Sequence, residues 1–138
     1  MKRMLILALL LAGCAQLPPT PADIQAKRFE SVPDKSVIYV VRQPMDSLES
    51  SGLSLDYDSQ ITTHPGTYYR WEVAPGTHRV AGFGVGTELV TLTTAPGKIY
   101  FLRHTVLGHW RSGPQLTYLK QIGDQDGRAL VAQAEMLR

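Results

Sequence analysis

The 138-residue chain contains a single cysteine, Cys14. One thiol excludes an intrachain disulfide and every zinc site built on paired cysteines. An excess of one charge is missing too. Fourteen Lys and Arg stand against twelve Asp and Glu, a net charge of +2, which gives no electrostatic footprint for nucleic acid. Histidines are few: His64, His78, His104 and His109. The last two are five positions apart across the end of an expected strand, a separation that matches no common zinc motif. No cofactor or metal is expected on these grounds. The chain also lacks an apolar run of the roughly 20 residues needed to cross a bilayer, because the stretch from Met4 to Gly13 is about half that length.

That short run is nevertheless the most informative segment. Lys2 and Arg3 precede it, as in the positive n-region of a secretory signal, and the leucines supply the apolar region. Leu11-Ala12-Gly13-Cys14 resembles a bacterial lipobox. The resemblance implies cleavage before Cys14, a diacylglyceryl group on its thiol and acylation of the new amine. Two or three acyl chains anchor stably where one does not. Ala15 stands where an aspartate would act as an inner-membrane retention signal, so the expected address is the outer membrane, facing the periplasm. Loss of Lys2 and Arg3 leaves 12 basic residues against 12 acidic ones. The partner expected first is therefore the membrane itself, reached through the lipid.

Composition then divides the chain into three parts: a removed signal peptide (1–13), a lipidated cysteine with a proline-rich tether (14–35), and one β-rich domain (36–138). "LPPTP" favours extended polyproline II, and some twenty such residues could reach roughly 60 Å at about 3.1 Å each. Phe29 and Val32 could still pack as a short leading turn. "SVIYVVR" (36–42) is apolar nearly throughout, the pattern of a strand covered on both faces. "TYYRWEV" (67–73) alternates, with Tyr69, Trp71 and Val73 on one face and Tyr68, Arg70 and Glu72 on the other. "LSLDY", "THRVAGF", "TELVTLT", "KIYFLRH" and "QLTYLKQI" read as further strands. Pro-Gly at 65–66, 75–76 and 96–97 predicts type II turns, with glycine at the positive-φ position. Near the C-terminus, Leu130, Val131, Ala134 and Leu137 form a helical stripe, with Asp126 as its cap and Arg138 at its negative end. The expected fold is mainly β: a small antiparallel β-sandwich-like domain with a short C-terminal helix.

Catalytic chemistry finds no footing. "GFGVG" (82–86) places its third glycine one residue too early for a dinucleotide fingerprint, and a strand follows it. Ser54 lacks a nucleophile elbow. Asp56 and Asp58, two apart on an expected strand, share a face and could act as paired carboxylates, although a turn uses aspartate as readily. His78 follows the "PGT" turn and is expected to make a structural hydrogen bond there. Aromatics interleaved with cations are more distinctive. Trp110 and Arg111 sit among loop residues, and with Tyr68 and Arg70 they make a candidate binding surface for a protein or a glycan.

"VIYVVR", "YRWEVAPGTHRV" and "APGKIYFLRH", behind the lipobox, carry a wider similarity. Tyr39, Arg42, Pro75, Gly76, His78, Gly97, Lys98, Tyr100 and Phe101 occupy the positions through which the chain resembles the proteobacterial lipoproteins of domain of unknown function 2846, over roughly residues 34–125. One departure is Tyr57, which stands where that pattern has the glycine of an Asp-Gly hairpin. The resemblance implies a lipoprotein with a β-rich domain and carries no activity. The leading expectation is a non-catalytic envelope lipoprotein that binds another envelope component or serves a structural role. A binding module for glycan or small apolar ligands is the alternative, and a hydrolase ranks last.

Overall fold

The computed structural model describes residues 17–83, 89–109 and 111–138. In chain order these form α1 (Pro21–Ala26), β1 (Ser36–Arg42), β2 (Ser51–Leu55), β3 (Ser59–Thr63), β4 (Thr67–Val73), β5 (Gly76–Gly82), β6 (Leu89–Thr94), β7 (Ile99–Leu107), β8 (Leu116–Ile122), α2 (Asp124–Gln133) and β9 (Glu135–Met136). Two sheets result, with strand orders β8-β7-β1-β4-β9 and β3-β2-β5-β6. The second is antiparallel throughout. In the first, β1 pairs antiparallel with β4 and parallel with β7, and β9 joins β4 in parallel. The domain is thus mainly β and sandwich-like, with a short helix near its C-terminus, as the composition predicts. The parallel β1–β7 pair arises because the whole second sheet lies on the crossover between those strands.

All seven residues of β1 are buried. Ile38 and Val40 pack between the sheets with Leu53, Leu55, Trp71, Val80, Leu92, Leu102 and Leu119. Val37, Tyr39 and Val41 turn the other way, onto Tyr68, Phe101, Ala26, Val131 and Ala134. Each large side chain buried contributes roughly 1.5–3 kcal/mol, so this strand anchors both cores. The alternation expected in β4 also holds. Tyr69, Trp71 and Val73 join the inter-sheet core, while Tyr68 belongs to the outer one.

The outer core corrects the expected domain boundary. Residues 21–35 are part of the domain rather than a tether. Thr20 caps α1 by accepting from the Asp23 amide at 3.1 Å, and Pro21 fills the first helical turn. Asp23 and Ala26 are buried. Phe29 adopts φ 53°, costly for a bulky side chain, and is held there by its ring. That ring packs 5.6 Å from Tyr39 and 6.0 Å from Phe101, with the Arg128 guanidinium 5.0 Å above it. Apolar residues dilute among prolines and charges in this segment, so composition alone suggested a solvated linker.

The C-terminal helix is shorter than its stripe suggests. It ends at Gln133, and Ala134 is extended. Glu135 and Leu137 donate their amides to the carbonyls of Gly66 and Tyr68, at 2.9 Å each. A sheet edge therefore outcompetes the last helical turn, and Leu137 leaves the stripe. Gly123, not Asp126, occupies the N-cap, and the side chain of Asp126 makes no capping bond. Within the helix, Gly127 lies so close to the Phe101 ring that an added Cβ would meet Cγ at 2.1 Å.

Candidate functional site

Two regions concentrate polar groups. The first is a cleft of about 330 Å³ on the outer face of the five-stranded sheet, lined by Gln25, Glu30, Tyr39, Arg70, Glu72 and Met136 among others. The alternation of β4 places Arg70 and Glu72 here, and α1 forms the opposite wall. Arg70 Nε donates to the Tyr39 hydroxyl at 3.2 Å, and that hydroxyl donates to the Ala26 carbonyl at 2.6 Å. Arg70 Nη1 also pairs with Glu72, whose other oxygen lies 3.7 Å from Lys35 Nζ. Burial works against the Arg70 charge, but Glu72 and Tyr39 outweigh it and raise its pKa. Arg70 in turn holds the Glu72 carboxyl below its ordinary range, against a smaller opposing effect of burial. Guanidinium, carboxylates and an amide thus ring an opening suited to a hydrogen-bonding ligand such as a sugar or a peptide backbone.

The second region is a polar layer inside the sandwich, at the end where β1 and β7 finish. Arg42 follows Ile38 and Val40 on the inward face and is fully buried. Its Nε meets Asp46 Oδ2 at 3.3 Å, Nη1 donates to the Thr63 carbonyl at 3.2 Å, and Nη2 donates to the Ser47 carbonyl. Asp46 accepts further bonds from the amides of Ser47 and Val106. Burial lowers the Arg42 pKa, and Asp46 opposes that fall. His104, its register neighbour on β7, is equally buried. The Thr63 hydroxyl donates to the Ser51 carbonyl, so it accepts from His104 Nδ1 at 3.0 Å. That fixes the Nδ1–H tautomer and leaves Nε2 as a sealed lone pair without a hydrogen-bond partner among the described residues. Burial, helped by the nearby Arg42 charge, lowers the His104 pKa to about 4. The imidazole is neutral and enclosed, a structural group with no route to a substrate.

The four residues of the expected binding surface are not brought together. Tyr68 is core: it is 1% exposed, and its hydroxyl donates to Asp23 Oδ1 at 2.7 Å beneath α1. Burial and then Asp23 raise its pKa. Arg70 lines the outer-face cleft, while Arg111 is exposed in the β7–β8 connection. Trp110 and Cys14 lie outside the described residues. In "GFGVG", Gly84, Val85 and Gly86 lie outside them as well. Gly82 ends β5, where an added Cβ would sit 2.3 Å from Thr117 Cγ2, so close packing explains that glycine.

The paired carboxylates are also corrected. Asp56 and Asp58 lie in the β2–β3 turn, not on a strand, with the Asp58 amide closing onto Leu55. Asp56 Oδ1 accepts from the Arg79 amide and Oδ2 from His78 Nδ1, both at 2.7 Å. His78 Nε2 reaches the Ala74 carbonyl at 2.7 Å. Partial burial disfavours the imidazolium, yet Asp56 and Ala74 together raise its pKa. For Asp56, burial pushes upward, and the bonds from His78 and Arg79 bring the net shift down. Pro75–Gly76 does not form the expected type II turn. Gly76 takes φ 150°, far from the roughly 80° of that turn. Gly66 and Gly97, at 74° and 69°, do match it.

His109 pairs with Glu49 at 3.1 Å on the surface, well apart in environment from the enclosed His104. Among the described residues, no group of three or more His, Asp or Glu could hold a metal ion. No helix among them is long and apolar enough to cross a membrane. No family model matches the chain, and no curated protein matches it.

Proposed function

We propose that the protein is a non-catalytic, lipid-anchored envelope protein of the outer membrane, whose periplasm-facing β domain binds another envelope component. The observation that carries this reading is the sequence from Lys2 to Cys14, a short apolar run between two cations and a lipobox-like Leu-Ala-Gly-Cys. The side-chain chemistry supports it. Asp46, Asp56, His78 and His104 are all engaged in bonds that hold strands and turns. The likeness to the lipoproteins of domain of unknown function 2846 belongs to the same proposal. Its positions include Tyr39, Arg42, His78 and Phe101, each with a structural role in this fold.

A labelled fatty acid fed to cells tests the anchor. The wild-type chain should incorporate it and fractionate with membranes, whereas Cys14→Ser should do neither. Label retained by Cys14→Ser would refute the assignment. A second reading, an envelope glycan held in the outer-face cleft, is favoured by Arg70, fixed in place at the rim by Glu72 and Tyr39. Retention of the protein on purified peptidoglycan, lost in Arg70→Ala, would select that reading over a protein partner.

A further inference from the structure

Resting on the lipid-anchor reading, we propose that the loop-bearing end of the sandwich lies against the same bilayer that holds the anchor, with the side chains of Met45 and Leu48 dipping into it.

Three observations converge on one end of the molecule. The first is where the folded chain begins. Cys14 precedes Leu17 by three residues and the Thr20 helix cap by six. A fully extended chain spans at most about 3.5 Å per residue, so the acylated residue lies within roughly 10 Å of Leu17 and roughly 20 Å of α1. With residues 21–35 packed in the domain, no long tether remains, and the domain cannot stand far from the surface.

The second observation is which end that is. Leu17, Pro18 and Pro19 line a groove together with Ala134, Glu135 and Met136. Glu135 pairs with Thr67, the first residue of β4, and Tyr68 opposes Val41 near the end of β1. Gly66 receives the Glu135 amide on one side and lies against Pro44 on the other. The N-terminal segment and the 43–50 connection therefore emerge at the same end. The β7–β8 connection joins them, because β7 runs parallel to β1 and Ser47 Oγ donates to the Gly108 carbonyl at 2.7 Å.

The third observation is what that end displays. Among the described residues, the three most exposed large apolar side chains are Met45 (95%), Leu48 (86%) and Leu17 (72%). All three are there, with Phe83 and Leu107 half exposed beside them. The carboxylates of the 43–50 loop are engaged: Asp46 is buried on Arg42, and Glu49 pairs with His109. Arg111 adds positive charge at the surface. Apolar tips beside a cation, with the carboxylates of their own loop paired, complement anionic phospholipid.

The test uses the full acylated chain in vesicles of phosphatidylethanolamine and phosphatidylglycerol. Met45→Cys, Leu48→Cys and Tyr57→Cys each add a single free thiol for an environment-sensitive dye, and Tyr57 is exposed at the opposite end of β2. A quencher carried on the lipid tails should dim the dyes at 45 and 48 at least severalfold more than the dye at 57. Equal dimming at the three positions, or dyes at 45 and 48 shielded from water without lipid quenching (the mark of a second copy or a protein partner), would overturn the proposal. The mass of the chain separates the two readings. An unacylated Cys14 means that the anchor itself is wrong. An acylated chain with water-exposed dyes at 45 and 48 means that only the orientation is wrong.

Discussion

The two ends of the sandwich are built on different chemistry. Where β2 and β3 meet, the interior is aliphatic and aromatic apart from the hydroxyls of Ser36 and Thr94, which bond to the turn carbonyls of Ala95 and Gly76. The connections there are tight: the Asp56–Tyr57 turn and the Pro-Gly pairs at 75–76 and 96–97. Where β1 and β7 finish, the interior holds Arg42, His104, Ser51, Thr63 and Thr117, under longer loops. A buried ion pair adds little net stability, because desolvation offsets attraction, yet removing one partner leaves an unpaired charge. The polar end is thus intolerant without being strong. Its bonds fix where the 43–50 loop runs, through Asp46 and Ser47, and so fix what that loop presents to the outside.

The sharpest break in this contrast is Arg42→Leu. It strands Asp46 in the interior and should cost about 3–5 kcal/mol, read as a lowered urea midpoint. Leu53→Ala, in the apolar half, should cost a similar roughly 2–5 kcal/mol through a cavity. The two should part when the stranded partner is removed as well: adding Asp46→Asn should recover part of the first variant's loss and none of the second's.

Acid titration of the wild type comes next. His104 has a folded pKa of about 4, against 6.5 when solvated. Only the unfolded chain takes up the proton between those values, so its stability contribution is complete above pH 6.5 and falls as pH drops towards 4. The slope should approach about 1.4 kcal/mol per pH unit. His78, at the other end, has the opposite sign. Its pKa is raised, so its contribution is present below 6.5 and is lost as pH climbs through the folded value. Urea midpoints across pH should therefore show the acid limb flattened in His104→Gln and the alkaline decline removed in His78→Gln. A parallel acid decline in wild type and His104→Gln would clear the imidazole of responsibility.

A smaller effect is expected at the tight end. Gly76 sits at φ 150°, in space open only to glycine, although a Cβ there would touch nothing within 4 Å. Gly76→Val should cost roughly 1–3 kcal/mol through backbone strain alone, a drop visible in thermal melts. Tyr57 brings the smallest change, and it is a gain. Asp56 and Tyr57 both carry positive φ, 52° and 63°, as a type I′ hairpin turn requires. Tyr57→Gly removes a left-handed bulky residue and should raise stability by about 1 kcal/mol. A melt at or below the wild-type temperature would show that the exposed ring has a compensating contact.

Much of the sandwich could be read from composition. β1 and β4 span the segments that their β-branched and aromatic content predicts, and the unbroken apolar run of β1 marks burial on both faces. Alternation in β4 correctly divides Tyr68 and Arg70 from Tyr69 and Trp71. What alternation cannot say is which face is covered from outside the sheet. Tyr68 and Arg70 read as surface because α1 hides among prolines and charges, and only contacts across the fold, such as the bond from Tyr68 to Asp23 45 positions away, reveal its place. β9 escaped for a related reason. Two residues carry no periodicity, and pairing with β4 is a tertiary event that overrides helical preference. The polar layer was equally hidden, since Arg42 ends an apolar strand as any solvated terminal residue would.

Lys27 Nζ donates to the Ala134 carbonyl at 2.7 Å, a contact spanning 107 positions. The first element of the folded chain is therefore closed by nearly its last, and such distant contacts are the slowest to form. During synthesis α1 can meet its partners on β1 and β4 early, but Lys27 finds the Ala134 carbonyl only once α2 and β9 exist. Completion of the C-terminus then closes α1 from its other side. Order of manufacture thus leaves the first element of the domain among the last to be fully secured.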